Sequence, residues 1–85
     1  MAKVEIFTTK LCPYCYRAKA LLKDKGVAYR EVDVSFNPEM RRSLLERTGR
    51  RTVPQIFINE KSVGGYDDIA ALDEEGKLDE LLAAG

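Results

Sequence analysis

The chain has 85 residues, 45% of them hydrophobic and 33% charged, with 14 basic side chains against 14 acidic ones. That length supports one hydrophobic core near the lower limit for a fold without staples, so residues 1–85 are expected to form a single domain. The even charge offers no global field for nucleic acid or anionic lipid, and the lack of any histidine removes Cys-His nucleophiles, histidine bases and mixed Cys/His zinc sites.

Met1-Ala2-Lys3-Val4 runs straight into β-prone alternation over residues 3–8, with Val4 and Ile6 on one face and Glu5 on the other. No apolar leader core or Ala-x-Ala-like cleavage site precedes it, so the expected compartment is the cytoplasm. Apolar runs elsewhere are short, which excludes a membrane span; neither membrane nor nucleic acid is an expected partner, and a monomer is expected.

From Pro13 to about Lys25, Cys15, Ala18 and Leu22 recur at helical spacing, with Arg17, Lys19 and Lys23 directed elsewhere and Gly26 as the stop. Residues 28–34 read as a second strand, parallel to the first across a βαβ crossover. Asn37-Pro38 caps a second helix that Gly49 ends; its stripe is Met40, Leu44 and Leu45, and its exposed face carries Arg41, Arg42 and Arg47. Gln55-Ile56-Phe57-Ile58, a turn at Asn59-Glu60-Lys61 and Ser62-Val63-Gly64 form an antiparallel hairpin. One or two short helices close the chain from Asp67 onward, with Gly76 between their apolar groups. The order β-α-β-α-β-β-α predicts an α/β fold, a four-stranded mixed sheet flanked by helices in the thioredoxin-like arrangement; order alone fits other α/β folds, so the motifs decide.

Only two cysteines are present, Cys12 and Cys15. A disulfide across so short a loop restrains the unfolded chain little, so the pair is read as catalytic or metal-binding before structural. A lone Cys-x-x-Cys supplies only two of the four ligands of a zinc site, and the βαβ setting favours redox chemistry. Cys12 falls at the cap of the first helix, with Pro13 at its first position. Unpaired N–H groups and the helix dipole there favour thiolate, up to roughly thirtyfold more attacking species than an ordinary cysteine at neutral pH. Cys15, one turn on and aligned with Ala18 and Leu22, lies on the buried side, which suits a resolving thiol.

Pro54 lacks an N–H and cannot pair at the start of its strand, which leaves the Val53 backbone free to meet an extended peptide. Gly64-Gly65 permits close approach, and Tyr66-Asp67-Asp68 opens a helix whose first amides can bind an anion. A carboxylate at Asp67 or Asp68 can also meet an ammonium.

Three motifs recur in order, Cys12-Pro13-Tyr14-Cys15, Thr52-Val53-Pro54 and Gly64-Gly65-Tyr66-Asp67-Asp68. With them the chain resembles the dithiol glutaredoxins, and in particular the bacterial glutaredoxin 3 type, over about residues 3–82. Thioredoxins usually carry Trp-Cys-Gly-Pro-Cys, whereas here the intervening pair is Pro-Tyr and tryptophan is absent. The resemblance implies a glutathione-dependent thiol–disulfide oxidoreductase. Its partners are glutathione and glutathionylated or disulfide-containing proteins; glutathione is a co-substrate, and no cofactor is tightly bound. It implies a redox-active Cys12–Cys15 disulfide, a cis Pro54, and a glutathione groove built from Tyr14, Thr52, Val53, Pro54, Gly65, Tyr66, Asp67 and Asp68. The γ-glutamyl carboxylate is received at the helix that Tyr66-Asp67-Asp68 opens. Candidates for the glycyl carboxylate are Lys10, Arg41 and Arg51; the family often has a lysine three residues before the first cysteine, where this chain has Thr9. Some glutaredoxins instead carry an iron–sulfur cluster as a glutathione-ligated dimer, which is the alternative function.

Overall fold

The computed structural model describes residues 2–84. Its elements are β1 (Val4–Thr8), α1 (Pro13–Asp24), β2 (Arg30–Asp33), α2 (Pro38–Thr48), β3 (Gln55–Ile58), β4 (Lys61–Gly64), α3 (Tyr66–Glu74) and α4 (Lys77–Ala83). The strands form one mixed sheet in the order β2-β1-β3-β4, in which β1 runs parallel to β2 and antiparallel to β3. This is the thioredoxin-like architecture that the element order predicts.

Alternation along β1 and β3 gives the sheet two apolar faces. Val4, Ile6, Ile56 and Ile58 meet Ala18 and Leu22 of α1, Ile69 of α3, and Leu78 and Leu82 of α4. On the opposite face Phe7 and Phe57 pack with Val34 and with Leu44 of α2, the two rings edge to face at 5.5 Å. Each large side chain withdrawn from water in this way contributes about 1.5–3 kcal/mol, so the two central strands form the most firmly held part of the molecule.

That pairing also positions the site. Because β1 and β3 are antiparallel, with Phe7 opposite Gln55, the loop that leaves β1 and the loop that enters β3 emerge at the same end of the sheet. Cys12 lies on the first and Val53 on the second.

Two boundaries differ from the sequence expectation. The second strand covers Arg30–Asp33 rather than residues 28–34, because its ladder with β1 starts only at Glu5 opposite Arg30. On the other side of β1, Asn59 continues the β3 pairing one residue beyond Val4: its backbone N–H donates to the Lys3 carbonyl, and its Oδ1 accepts from the Lys3 N–H. The hairpin turn is two residues, Asn59 (φ 51°) and Glu60 (φ 69°), and Lys61 pairs with Ile58 as part of β4. Positive φ at both central positions gives the twist that tight hairpins favour. On α2, Arg47 is exposed, as the sequence predicts, and its guanidinium carbon lies 4.1 Å from the centre of the Phe57 ring.

Candidate active site

Cys12 is the N-cap of α1, in extended conformation (φ −137°, ψ 99°), and Pro13 follows at the first helical position. Its Sγ accepts a hydrogen bond from the Cys15 amide at 3.2 Å. The side-chain cap normally supplied by an oxygen is here supplied by sulfur, which takes up one orphan donor of the helix end. The Cys12 thiol also reaches the Val53 carbonyl at 3.7 Å, which ties the nucleophile loop to the loop before β3.

Both cysteines are buried, Cys12 with 7% and Cys15 with 1% of its surface exposed. Burial pushes the Cys15 thiol pKa up to about 12, aided by its hydrogen bond with Cys12. One sulfur thus sits at a helix mouth and the other beneath it as a neutral thiol. Below α1, Lys19 pairs with Glu31 at 3.0 Å, and Glu31 also accepts from the buried Thr8 hydroxyl at 2.8 Å. Burial opposes ionisation of Glu31, but these two donors outweigh it and hold its carboxyl below the usual range.

The Val53–Pro54 peptide bond is cis, as the resemblance implies. The Val53 amide has no hydrogen-bond partner among the described residues and is free to pair with a peptide. Behind this loop stands Gln55, fully buried, whose Nε2 donates to the Thr52 carbonyl at 2.9 Å and lies 3.3 Å from the Thr52 hydroxyl. Its Oε1 is buried without a partner among the described residues. Gln55 is a prop that fixes Thr52 from inside the core.

Tyr14, Arg50, Thr52, Val53, Pro54, Gly65, Tyr66, Asp67 and Asp68 enclose a cavity of about 240 Å³ beside that loop. The Tyr14 and Tyr66 rings stand 6.2 Å apart on one wall. Asp68 folds back so that Oδ2 accepts from the Gly65 amide at 2.9 Å and from Arg50 Nη1 at 2.6 Å. The guanidinium and that amide hold the Asp68 carboxyl below the usual carboxylate range. Gly64 makes this possible: its φ is +98°, and a Cβ there would collide with the Asp68 carboxylate. Gly64→Ala is therefore expected to lose about 1–3 kcal/mol in urea unfolding and to weaken ligand binding at the cavity.

All eight residues that the resemblance assigns to the groove thus converge on one cavity. The three cation candidates do not line it. Arg41 and Arg51 border a separate cavity of about 320 Å³ with Pro38, Arg42 and Leu45, where Arg41 Nη2 reaches the Arg51 carbonyl at 3.5 Å. Lys10 lies elsewhere again, its ammonium 5.4 Å from the Phe36 ring centre. It borders a depression of about 280 Å³ that opens on Cys12 with Leu11, Pro13 and Tyr16.

Sequence reasoning missed Arg50 and Gln55. A signal for Arg50 existed: Gly49, a helix-ending glycine in the left-handed conformation (φ 73°), turns the chain out of α2 just before it, and Arg50 lines the groove while Arg51 does not. Gln55 carried none, since a glutamine opening a strand looks solvent-facing until its partners are seen.

Comparison with known proteins agrees with this geometry. The glutaredoxin family model matches residues 4–63. Over 82 residues the chain is 54% identical to glutaredoxin 3 of Escherichia coli (strain K12), covering 96% of this chain and 99% of that protein. The solution structure of a glutaredoxin from Brucella melitensis superposes with a TM-score of 0.87 at 56% identity, covering 96% of this chain and 89% of the other. The crystal structure of a buckwheat glutaredoxin–glutathione complex gives a TM-score of 0.89 at 32% identity, covering 95% and 76%. With its Cys-Pro-Tyr-Cys helix mouth and its full-length likeness to such proteins, the chain belongs to the glutaredoxin family of thiol–disulfide oxidoreductases.

Proposed function

We propose that the protein reduces glutathione mixed disulfides through Cys12 and protein disulfides through Cys12 and Cys15. The observation that carries this reading is the placement of Cys12 Sγ 3.7 Å from the carbonyl of Val53, whose amide is free and whose side of the loop walls the cavity. An extended tripeptide pairing with Val53 brings its own cysteine sulfur next to Cys12, as in strand addition to a free edge. Support also comes from the buckwheat relative, whose structure is a complex with glutathione.

In the first step Cys12 thiolate attacks the glutathione sulfur of a protein–glutathione disulfide. That S–S bond breaks, the protein leaves as a thiolate and takes up a proton, and Cys12 carries glutathione. A second glutathione thiolate then forms glutathione disulfide and releases Cys12. Alternatively Cys15 gives up its proton and attacks Cys12 Sγ, expelling glutathione and closing the Cys12–Cys15 disulfide, which two glutathiones reopen. Protein disulfides need this second route, because the substrate's own second thiol must be released.

Thr52, Val53, Pro54, Tyr14, Gly65, Tyr66, Asp67 and Asp68 form the glutathione groove in this scheme. In this reading Arg51, just before Thr52, and Arg41, which reaches the Arg51 carbonyl, receive the glycyl carboxylate. The depression occupied by Lys10 opens on Cys12 from another side, where the protein half of a substrate is received. Glutathione enters as a co-substrate, and the protein acts as a monomer in the cytoplasm.

A coupled assay with glutathione, glutathione reductase and a small glutathione mixed disulfide tests the reading. Turnover that saturates in the mixed disulfide is expected. Turnover that is equally fast with unrelated low-molecular-weight thiols in place of glutathione contradicts it.

A further inference from the structure

Large apolar side chains in contact with water are ordinary when scattered, and here they are not scattered. Among the described residues Leu11, Tyr14, Tyr16 and Phe36 are the exposed ones, and all four border depressions around the active site. Tyr14 walls the groove described above. The other three lie outside it: Lys10, Leu11, Cys12, Pro13 and Tyr16 line the depression of about 280 Å³, and Thr9, Lys10, Leu11, Ser35 and Phe36 line one of about 450 Å³. Lys10 and Leu11 belong to both, so the two form one surface that begins at Cys12 and ends at Phe36. Leu11 precedes the Cys12 cap and Tyr16 is the fourth residue of α1, the two positions that close over each other in a hydrophobic staple. Leu11 nevertheless stays 96% exposed and Phe36 87%, so no described residue covers them. Lys10 is the only charged side chain lining either depression, and its ammonium stands beside the Phe36 ring.

We propose that this surface docks protein disulfides whose reactive cysteine is flanked by a large apolar side chain and a carboxylate. The inference rests on the protein-disulfide reaction given above and adds which substrates it favours. Cys12 thiolate attacks one sulfur of the substrate disulfide, the other sulfur leaves as a thiolate, and the substrate stays bonded to Cys12 Sγ until Cys15 displaces it. During that time the residues beside the substrate cysteine, about 3.5 Å apart along an extended chain, lie over a surface that starts at the same sulfur. An apolar side chain there covers Leu11 with Tyr16 or Phe36, as an anchor does at the centre of an interface, and a carboxylate meets Lys10 at the rim. A basic side chain in its place meets a like charge. Leu11 and Phe36 do not line the glutathione groove, so they set specificity for the protein substrate alone.

The experiment uses three cyclic peptide disulfides in which both cysteines lie between the same two neighbours: leucine and glutamate, serine and glutamate, or leucine and lysine. Each rate is divided by that of reduction by dithiothreitol alone, which cancels intrinsic reactivity. Unmodified protein is expected to use the leucine–glutamate peptide with kcat/KM about tenfold above the serine–glutamate one, the range of burying one leucine. Its advantage over the leucine–lysine peptide should shrink in high salt, as a contact between exposed charges does. The Leu11→Ser/Phe36→Ser double variant should lose the leucine preference through KM and still turn over a small glutathione mixed disulfide at the unmodified rate, which shows that it folds; Leu11→Met/Phe36→Tyr should keep the preference. Equal use of the leucine–glutamate and serine–glutamate peptides by unmodified protein, or a preference retained in the double variant, overturns the docking surface. Equal use of the leucine–glutamate and leucine–lysine peptides overturns the carboxylate's part in it. Self-association of unmodified protein that the double variant lacks assigns the surface to a second copy, and vesicle binding that the double variant lacks assigns it to lipid; either overturns the proposal. Failure to reduce any of the three peptides by protein that turns over the small mixed disulfide overturns the protein-disulfide reading, and this inference with it.

Discussion

Cys12→Ser is expected to abolish both the glutathione mixed-disulfide and the protein-disulfide reactions, whereas Cys15→Ser keeps the first within a small factor and loses nearly all of the second. A hydroxyl at the head of α1 still caps the helix, so the Cys12 variant should fold; it has no sulfur to form the covalent intermediate. The loss should be on the order of a thousandfold or more, as for other enzymes deprived of their nucleophile. Cys15 enters only when an intramolecular disulfide must close, and its burial keeps it out of the first attack. Steady-state rates with a glutathionylated peptide and with a protein disulfide separate the two cases. Equal losses from the two substitutions on both substrates contradict the division of roles.

The second large effect is chemical selectivity between the two thiols and its consequence for alkaline stability. A thiol of pKa about 12 is ionised in roughly one molecule in ten thousand at pH 8, and Cys15 is also closed to solvent. Limiting iodoacetamide on the reduced protein should therefore label Cys12 more than a hundredfold faster than Cys15, as read by peptide mass spectrometry. Because burial raises the folded value of Cys15 above that of an unfolded cysteine, the neutral thiol is favoured by folding. Its stabilising contribution is complete below about pH 8.5 and is lost as pH rises from there towards 12. Lys19 and Lys25, whose values are raised mainly by their carboxylate partners Glu31 and Asp73, lose their contributions over a higher range, above the ordinary lysine value. Comparing Tm at pH 7 and pH 10 in reduced wild type and in Cys15→Ser isolates the cysteine part: the fall in Tm should be smaller in the variant.

Much of this was legible in the sequence, and the reasons are local. Cys12-Pro13 announces a capped helix, Asn37-Pro38 another, and the alternation of Val4, Ile6, Ile56 and Ile58 marks strands with a common buried face. The groove was readable because its parts lie in three short segments, Cys12–Cys15, Thr52–Pro54 and Gly64–Asp68. What escaped depends on distance. The Arg50–Asp68 pair spans 18 residues, and nothing in either residue alone announces the other. Gln55 becomes a prop only because β3 is covered on both faces, a property of the assembled sheet. Likewise Asn59, far along the chain, extends the pairing of β1 and β3 to Lys3, which neither segment alone announces. The separation of Lys10 from the groove follows from its place on the Cys12 loop beside Phe36, which spacing relative to Cys12 does not reveal.

The most direct test is to expose Cys15→Ser to glutathione disulfide and follow the product by mass spectrometry and by amide chemical shifts. One glutathione is expected on Cys12, with shifts concentrated at Val53, Tyr66, Asp67 and Asp68. A Cys12 adduct that leaves those amides unmoved, or no adduct at all, contradicts the claim that a peptide-shaped groove delivers glutathione sulfur to Cys12.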